Sequence, residues 1–91
     1  MILSSKARAP EGGPARLAAL PVGSRGVLGA VEIVDETSVR LLEMGMTEGA
    51  PFRLTRRAPF GDPLEIELRG TRLVLRAASA SLFPVHDVVL P

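Results

Sequence analysis

Three consecutive runs in the middle of this 91-residue chain alternate apolar and polar residues. A period of two places the apolar side chains on one face of a strand, so the runs predict three half-buried strands. The segments between them contain the glycine, proline and aspartate that are typical of tight turns. The predicted inward residues are Phe52, Leu54, Leu64, Ile66, Leu68, Leu73 and Leu75. The predicted outward residues include Arg53, Thr55, Arg57, Glu65, Glu67 and Arg69.

The flanking segments predict two further strands and two short helical stretches. The β-branched run from Arg25 to Val34 indicates a strand that bends at its glycines, and the final VHDVVL indicates a last strand. A helix of about two turns is expected over 38–44, since Asp35 offers an N-cap and Gly45 a left-handed end. The small residues of 77–83 indicate a single helical turn.

Together these elements predict a mainly β fold. We expect a small, partly open β-barrel of about five strands, with one short helix between strands 1 and 2. Residues 1–16 have no sustained period and are expected to form a flexible leader, with a short ordered contact at Ile2 and Leu3, before a folded domain over 17–91.

Composition excludes several classes of function. A formal net charge of +1 and only three aromatic residues disfavour nucleic acid as a partner. One histidine, no cysteine and scattered carboxylates give no catalytic set, no metal site and no cofactor site. Neither a secretory signal nor a membrane span is apparent, so we expect a cytoplasmic binding protein and not an enzyme.

The segment RLLEMGMTEG, residues 40–49, is more apolar than one helix face requires. Val39 and Leu42 fit one stripe toward the core, whereas Leu41 and Met44 form a second stripe. We therefore expect Leu42 to be the core anchor. The candidate partner-binding residues are Leu41, Met44, Met46 and Phe60. The residues leave open the alternative that this whole set is core, or that it is buried in a weak homo-oligomer.

The order of these motifs resembles the FeoA domain, a small SH3-like β-barrel associated with bacterial ferrous iron uptake. The resemblance extends from Leu17 to about Val89. The matching positions are Arg40, Leu41, Leu42, Gly45, Met46 and Gly49; Ala58, Pro59, Gly61, Asp62 and Pro63; and Arg69 with Gly70. Met44 and Phe60 replace the leucines that are more usual in the family, and they keep the apolar character.

The resemblance implies a cytoplasmic accessory protein that works with FeoB, the membrane ferrous iron transporter with a cytoplasmic GTPase domain. A second branch of the resemblance leads to the SH3-like domain at the C-terminus of iron- and manganese-dependent repressors. This branch implies, as the alternative, a regulatory domain linked to transcription or nucleic acid, with Arg53, Arg56 and Arg57 as its basic residues.

Overall fold

The computed structural model describes residues 15–91 as five strands, two α-helices and one 3-10 turn. The strands are β1 (Arg25–Leu28), β2 (Pro51–Arg57), β3 (Leu64–Leu68), β4 (Thr71–Leu75) and β5 (Val85–Val89). The helices are α1 (Glu36–Glu43), between β1 and β2, and α2 (Ala77–Ala80); the 3-10 turn is Leu17–Ala19. This arrangement confirms the predicted mainly β fold with one helix between the first two strands. Within the described part of the chain, no helix is long and apolar enough to span a membrane.

The strands form one antiparallel sheet in the order β4-β3-β2-β1-β5. Over residues 15–91 the two outer strands, β4 and β5, do not pair with each other, so the barrel is open. The start of the described chain lies along β5, where the Val85 amide donates to the Ala15 carbonyl (3.0 Å). The folded domain therefore includes Ala15, two residues before the predicted boundary. The expectations for the leader over 1–14, including Ile2 and Leu3, lie outside the described residues.

The core occupies the concave side of the sheet. All seven residues that the alternation predicted to face inward are buried there. They join one cluster with residues from the rest of the domain, the largest being Leu17, Leu28, Met46 and Phe83. A single cluster is what a chain of this size is expected to form.

The first strand is shorter than predicted, because it ends at Leu28 instead of Val34. At Gly29 the chain passes so close to β5 that a Cβ atom would lie 2.7 Å from His86 Nε2 and 3.0 Å from Pro84 Cγ. The Gly29 amide donates to the Pro84 carbonyl (2.7 Å), and the following residues leave the sheet. The prediction of a strand through 29–34 was therefore wrong, and these residues form the connection to α1.

The second correction concerns the face on which Arg57 lies. The pairing of β2 with β3 shifts by one residue between Leu54, which is opposite Ile66, and Arg57, which is opposite Leu64. Thr55 is the extra residue, and a bulge of this kind inverts the alternation beyond it. Arg57 therefore shares a face with buried Leu64 and is half-buried instead of outward-facing.

Candidate partner-binding surface

The orientation of α1 is fixed at its N-terminus by a capping box. The Asp35 side chain accepts a hydrogen bond from the Ser38 amide (2.9 Å), and Ser38 Oγ accepts one from the Asp35 amide (3.1 Å). The second interaction draws the Ser38 side chain inward, where it is fully buried. Since Ser38 and Leu41 are three residues apart, Leu41 follows on the buried face.

The C-terminus of α1 explains why Met46 is also buried. The Gly45 amide donates to the Leu42 carbonyl and the Met46 amide to the Leu41 carbonyl, each at 3.1 Å, with Gly45 at φ +112°. This pair of bonds is the Schellman motif, which commonly brings the two flanking apolar side chains together. Leu41 and Met46 accordingly lie in the core.

Two expectations for the helix are therefore corrected. Leu41 and Met46 were expected as exposed candidates, and both are buried. Leu42, the expected core anchor, is only partly buried, and its stripe partner Val39 is 39% exposed. Of the helix candidates, Met44 alone is exposed, at 51%. A contact of a partner with this helix would thus involve Met44 and not Leu41 or Met46.

The sequence interpretation missed exposed aliphatic residues before the helix. Ile33 and Val34 were predicted to lie in a strand, but they are in the loop that enters α1 and are more than half exposed. Val34 precedes the N-cap and Val39 is the fourth helical residue, which are the two positions of a hydrophobic staple. With Asp35 identified as the N-cap, the sequence positions of Val34 and Val39 would have been enough to predict this staple.

Phe60, the fourth candidate, lies at the tip of the β2–β3 loop and is 97% exposed. The Gly61 amide donates to the Ala58 carbonyl (2.7 Å), so Pro59 and Phe60 occupy the centre of a tight turn. Full burial of a phenylalanine side chain typically contributes about 1.5–3 kcal/mol relative to exposure. The protein thus carries its largest single exposed apolar side chain on a turn that points away from the core.

Arg57 joins this loop to the rest of the domain. Its Nη1 atom donates to the Gly61 carbonyl (3.0 Å), and its Nη2 atom donates to the carbonyls of Ala18 and Leu20 (3.0 Å each). One guanidinium therefore joins the turn that carries Phe60 to the 3-10 segment at the start of the domain. These bonds use the planar, multiple-donor geometry that only arginine provides.

Asp62 holds the second half of the loop. Its Oδ1 atom accepts a hydrogen bond from the amide of Ala77 (2.9 Å). Ala77 is the first residue of α2. The Ala58 amide also donates to the Pro63 carbonyl (3.0 Å), which closes the base of the loop. The loop backbone next to Phe60 is therefore held in place, so docking of Phe60 would require little further ordering of the loop.

The structure does not bring Phe60 and Met44 together. Met44 precedes the first residue of β2 and Phe60 follows its last residue, so the two side chains belong to opposite ends of this strand. A seven-residue strand extends over about 20 Å. The expectation that Phe60 lies near the apolar helix residues was therefore wrong, and the exposed candidates define two separate positions.

The arginines of β2 do not form one basic surface. Arg53 is opposite Glu67 and Arg56 is opposite Glu65 in the pairing with β3, so part of the outer face is charge-balanced, as predicted. Arg57 is on the other face of the sheet. Among residues 15–91, no group of three or more histidine, aspartate or glutamate side chains is arranged to hold a metal ion.

Comparison with known proteins identifies relatives of the domain. The family model of the FeoA domain matches residues 15–83. The solution structure of the FeoA protein from Chlorobium tepidum has 32% sequence identity and a TM-score of 0.74, covering 79% of this chain and 69% of that chain. Similarity thus extends over most of both chains.

A second relative is Stenotrophomonas maltophilia FeoA, solved in complex with zinc. It is described as an SH3 domain protein and suggested as an activating factor of bacterial ferrous iron transport. It has 26% identity and a TM-score of 0.73, and the match covers 84% of this chain and 96% of that chain. This likeness confirms the expected SH3-like fold.

A manganese-dependent transcriptional repressor, in complex with manganese, is similar in structure but more distant in sequence. It has 19% identity and a TM-score of 0.72, covering 85% of this chain and 38% of that chain. At this identity the likeness shows a shared fold alone.

Proposed function

Because this chain belongs to the FeoA domain family, we propose that it is a cytoplasmic, non-enzymatic accessory protein of ferrous iron transport. Its partner in this proposal is the cytoplasmic, GTPase-containing part of the membrane transporter FeoB, and binding modulates Fe(II) uptake. The role suggested for the Stenotrophomonas relative, activation of ferrous iron transport, supports the assignment. One histidine and no cysteine in the whole sequence favour a binding function over a catalytic one.

The observation that carries the proposal is the exposed Phe60 on its fixed loop. Aromatic anchors with large apolar area dominate the binding free energy of many protein interfaces. Phe60 is 97% exposed, and the hydrogen bonds of Arg57 to Gly61 and of Ala77 to Asp62 hold the adjoining loop backbone, which limits the entropy that the loop loses on docking. We propose that Phe60 inserts into an apolar pocket of the partner and that Met44 provides a separate, weaker contact. Leu41 and Met46 would act only by supporting the fold.

A titration of the purified chain with the cytoplasmic domain of its cognate transporter tests the partner assignment. The measurement is made with the transporter domain nucleotide-free, with GDP, and with a non-hydrolysable GTP analogue. Saturable binding in at least one state supports the proposal. A lack of binding in all three states, with both proteins folded, would reject this partner.

The alternative is a regulatory domain that works with nucleic acid, motivated by the shared fold of the manganese-dependent repressor. The pairing of Arg53 and Arg56 with glutamates, and the engagement of Arg57 within the fold, weigh against it. Retention on a DNA column that decreases steeply as salt is raised would favour this alternative, because phosphate contacts release counterions. Light scattering of the same sample tests the predicted weak homo-oligomer.

A further inference from the structure

Within residues 15–91, the outer strand β4 is an unusually regular free edge. Its pairing with β3 continues without a register shift over all five residues, whereas the β2–β3 and β1–β5 pairings both contain an irregularity. Natural proteins commonly protect edge strands with bulges, proline or very short length. None of these three devices is present in β4, whose residues are Thr71–Leu75 and whose protection as an edge consists of one charged side chain, Arg72.

The hairpin that joins β3 to β4 determines which backbone groups face outward. Its two loop residues, Arg69 and Gly70, both have positive φ angles (50° and 87°), as a two-residue type I′ turn requires. In such a turn the two residues that flank the loop form a hydrogen-bonded pair. Along the rest of the antiparallel ladder, pairs without hydrogen bonds to each other alternate with hydrogen-bonded pairs. The amide and carbonyl groups of Arg72 and Val74 therefore point away from β3. No backbone bond to another described element satisfies them.

The edge also carries one exposed apolar side chain. Val74 is 64% exposed and lines a shallow pocket of about 200 Å³. The loop residues Ala58 and Pro63 form the opposite wall, with Arg56 and Glu65 among the other lining residues. This pocket lies on the β3 side of Val74, so it is not beside an added strand. A strand added beside β4 would thus find unpaired main-chain groups and, next to them, the exposed side chain of Val74.

The charge of the edge indicates the chemistry of such a strand. Arg69, Arg72 and Arg76 lie before, within and after β4, and all three are exposed. The sequence contains no aspartate or glutamate from residue 68 through 86. Two acidic residues of β3 lie near Arg72: Glu67 is directly opposite it, and Glu65 Oε2 is 4.0 Å from its Nε atom. Glu65 is largely covered and also accepts a hydrogen bond from Thr55 Oγ1 (2.9 Å), and Arg69 and Arg76 form no ion pair within residues 15–91. An extended segment rich in acidic residues is therefore the complementary ligand.

We propose that the free edge of β4 binds an extended acidic segment of a partner polypeptide, which adds to the sheet as a sixth strand. Main-chain bonds to Arg72 and Val74 provide the affinity, and the three arginines select against neutral and basic segments. A second copy of this chain fits less well, because two β4 edges would bring their arginines together. The inference concerns a surface distinct from Phe60 and does not depend on which protein is the partner.

The test is an NMR titration of the full chain with a capped decapeptide in which every second residue is threonine and the residues between alternate glutamate with valine, so that glutamate and valine share the face of Arg72 and Val74. The matched probe replaces each glutamate with lysine. We expect shift changes centred on the Arg72 and Val74 amides, slower hydrogen exchange at both, and binding at least tenfold tighter for the acidic peptide. Equal affinity for the two peptides, or shift changes located elsewhere, would overturn the proposal.

A pair of variants tests the main-chain component. Val74→Pro removes an outward amide without removing a bond to β3, so the strand should be retained, and we expect at least tenfold weaker binding. Val74→Thr keeps the amide and should lose no more than about threefold. If Val74→Pro does not fold, the acidic peptide with alternate amides N-methylated replaces it on the wild-type protein. Unchanged affinity of the methylated peptide would reject strand addition.

Two further measurements separate the other occupants of this edge. A short single-stranded DNA that perturbs Arg72 and Val74 more strongly than the acidic peptide would overturn the proposal in favour of a nucleic acid ligand. Dimer formation that protects the same two amides in the absence of peptide would overturn it in favour of a second copy. A monomer that binds the acidic peptide and not the DNA supports it.

Discussion

At the residue scale, Arg57 shows how one side chain can organise a surface loop. The bulge at Thr55 turns it toward the inner side of the sheet, where its guanidinium reaches three backbone carbonyls. The neighbouring Arg56 remains exposed on the outer face. Two adjacent arginines of the same strand therefore have different roles, one holding the loop of Phe60 and the other interacting with solvent.

Replacement of Arg57 by methionine should lower the free energy of unfolding by about 1–3 kcal/mol, because three carbonyl groups lose a charged donor. The matched variant Arg56→Met should change it by no more than about 0.5 kcal/mol, because Arg56 is exposed and its charge only faces Glu65 across the strands. Urea denaturation of the two variants measures the difference. Equal effects of the two substitutions would contradict the role assigned to Arg57.

At the scale of elements, α1 is positioned by its two ends. The capping box of Asp35 and Ser38 fixes the start, and the Schellman motif around Gly45 fixes the end. Both motifs place apolar or small side chains inward and leave Met44, the C-cap residue, outside. An eight-residue helix is too short to be stable by itself, so these end contacts and the core contact of Leu41 determine its orientation.

Substitution of Asp35 by alanine should destabilise the protein by about 0.5–2 kcal/mol, the usual effect of losing an N-cap acceptor. Asp35→Asn retains an oxygen that accepts the Ser38 amide and should be close to wild type. Thermal unfolding of the pair, monitored by circular dichroism, provides the comparison. Alanine and asparagine variants of equal stability would show that the capping interaction does not contribute.

At the scale of the whole molecule, one core supports a sheet that leaves apolar side chains exposed at separate places. Leu41 belongs to the core, whereas Phe60, Met44 and Val74 are on the surface. The free energy of unfolding of a small domain is only a few kcal/mol. A charged residue introduced at a core position should therefore be strongly destabilising, whereas one introduced at an exposed position should be tolerated.

A glutamate at position 41 should therefore prevent folding or destabilise the domain by more than about 3 kcal/mol, since it buries a charge without a partner. Met44→Glu, three residues further along the same predicted stripe, should change the stability by no more than about 0.5 kcal/mol. The amide NMR spectra of the two variants distinguish these outcomes. A well-dispersed spectrum for Leu41→Glu would contradict the core assignment.

The sequence predicted best where one periodicity applied without interruption. Alternation identified the buried residues of β3 and β4, and Gly45 marked the end of α1. The alternation pattern did not predict the bulge at Thr55, because a single inserted residue changes the strand pairing without changing the local composition. The sequence also led to the wrong stripe of α1 being assigned to the core, since in so short a helix both stripes are equally apolar. The contacts at the helix ends determine which stripe is buried.

The most direct test of the central claim is calorimetric titration of the transporter's cytoplasmic domain with the wild-type chain and with Phe60→Ala. Val89→Ala, which shortens another half-exposed apolar side chain on β5, is the matched control. If Phe60 is the main anchor, its removal should weaken binding by at least tenfold while the control stays within about twofold. A folded Phe60→Ala variant that binds as tightly as wild type would contradict the claim.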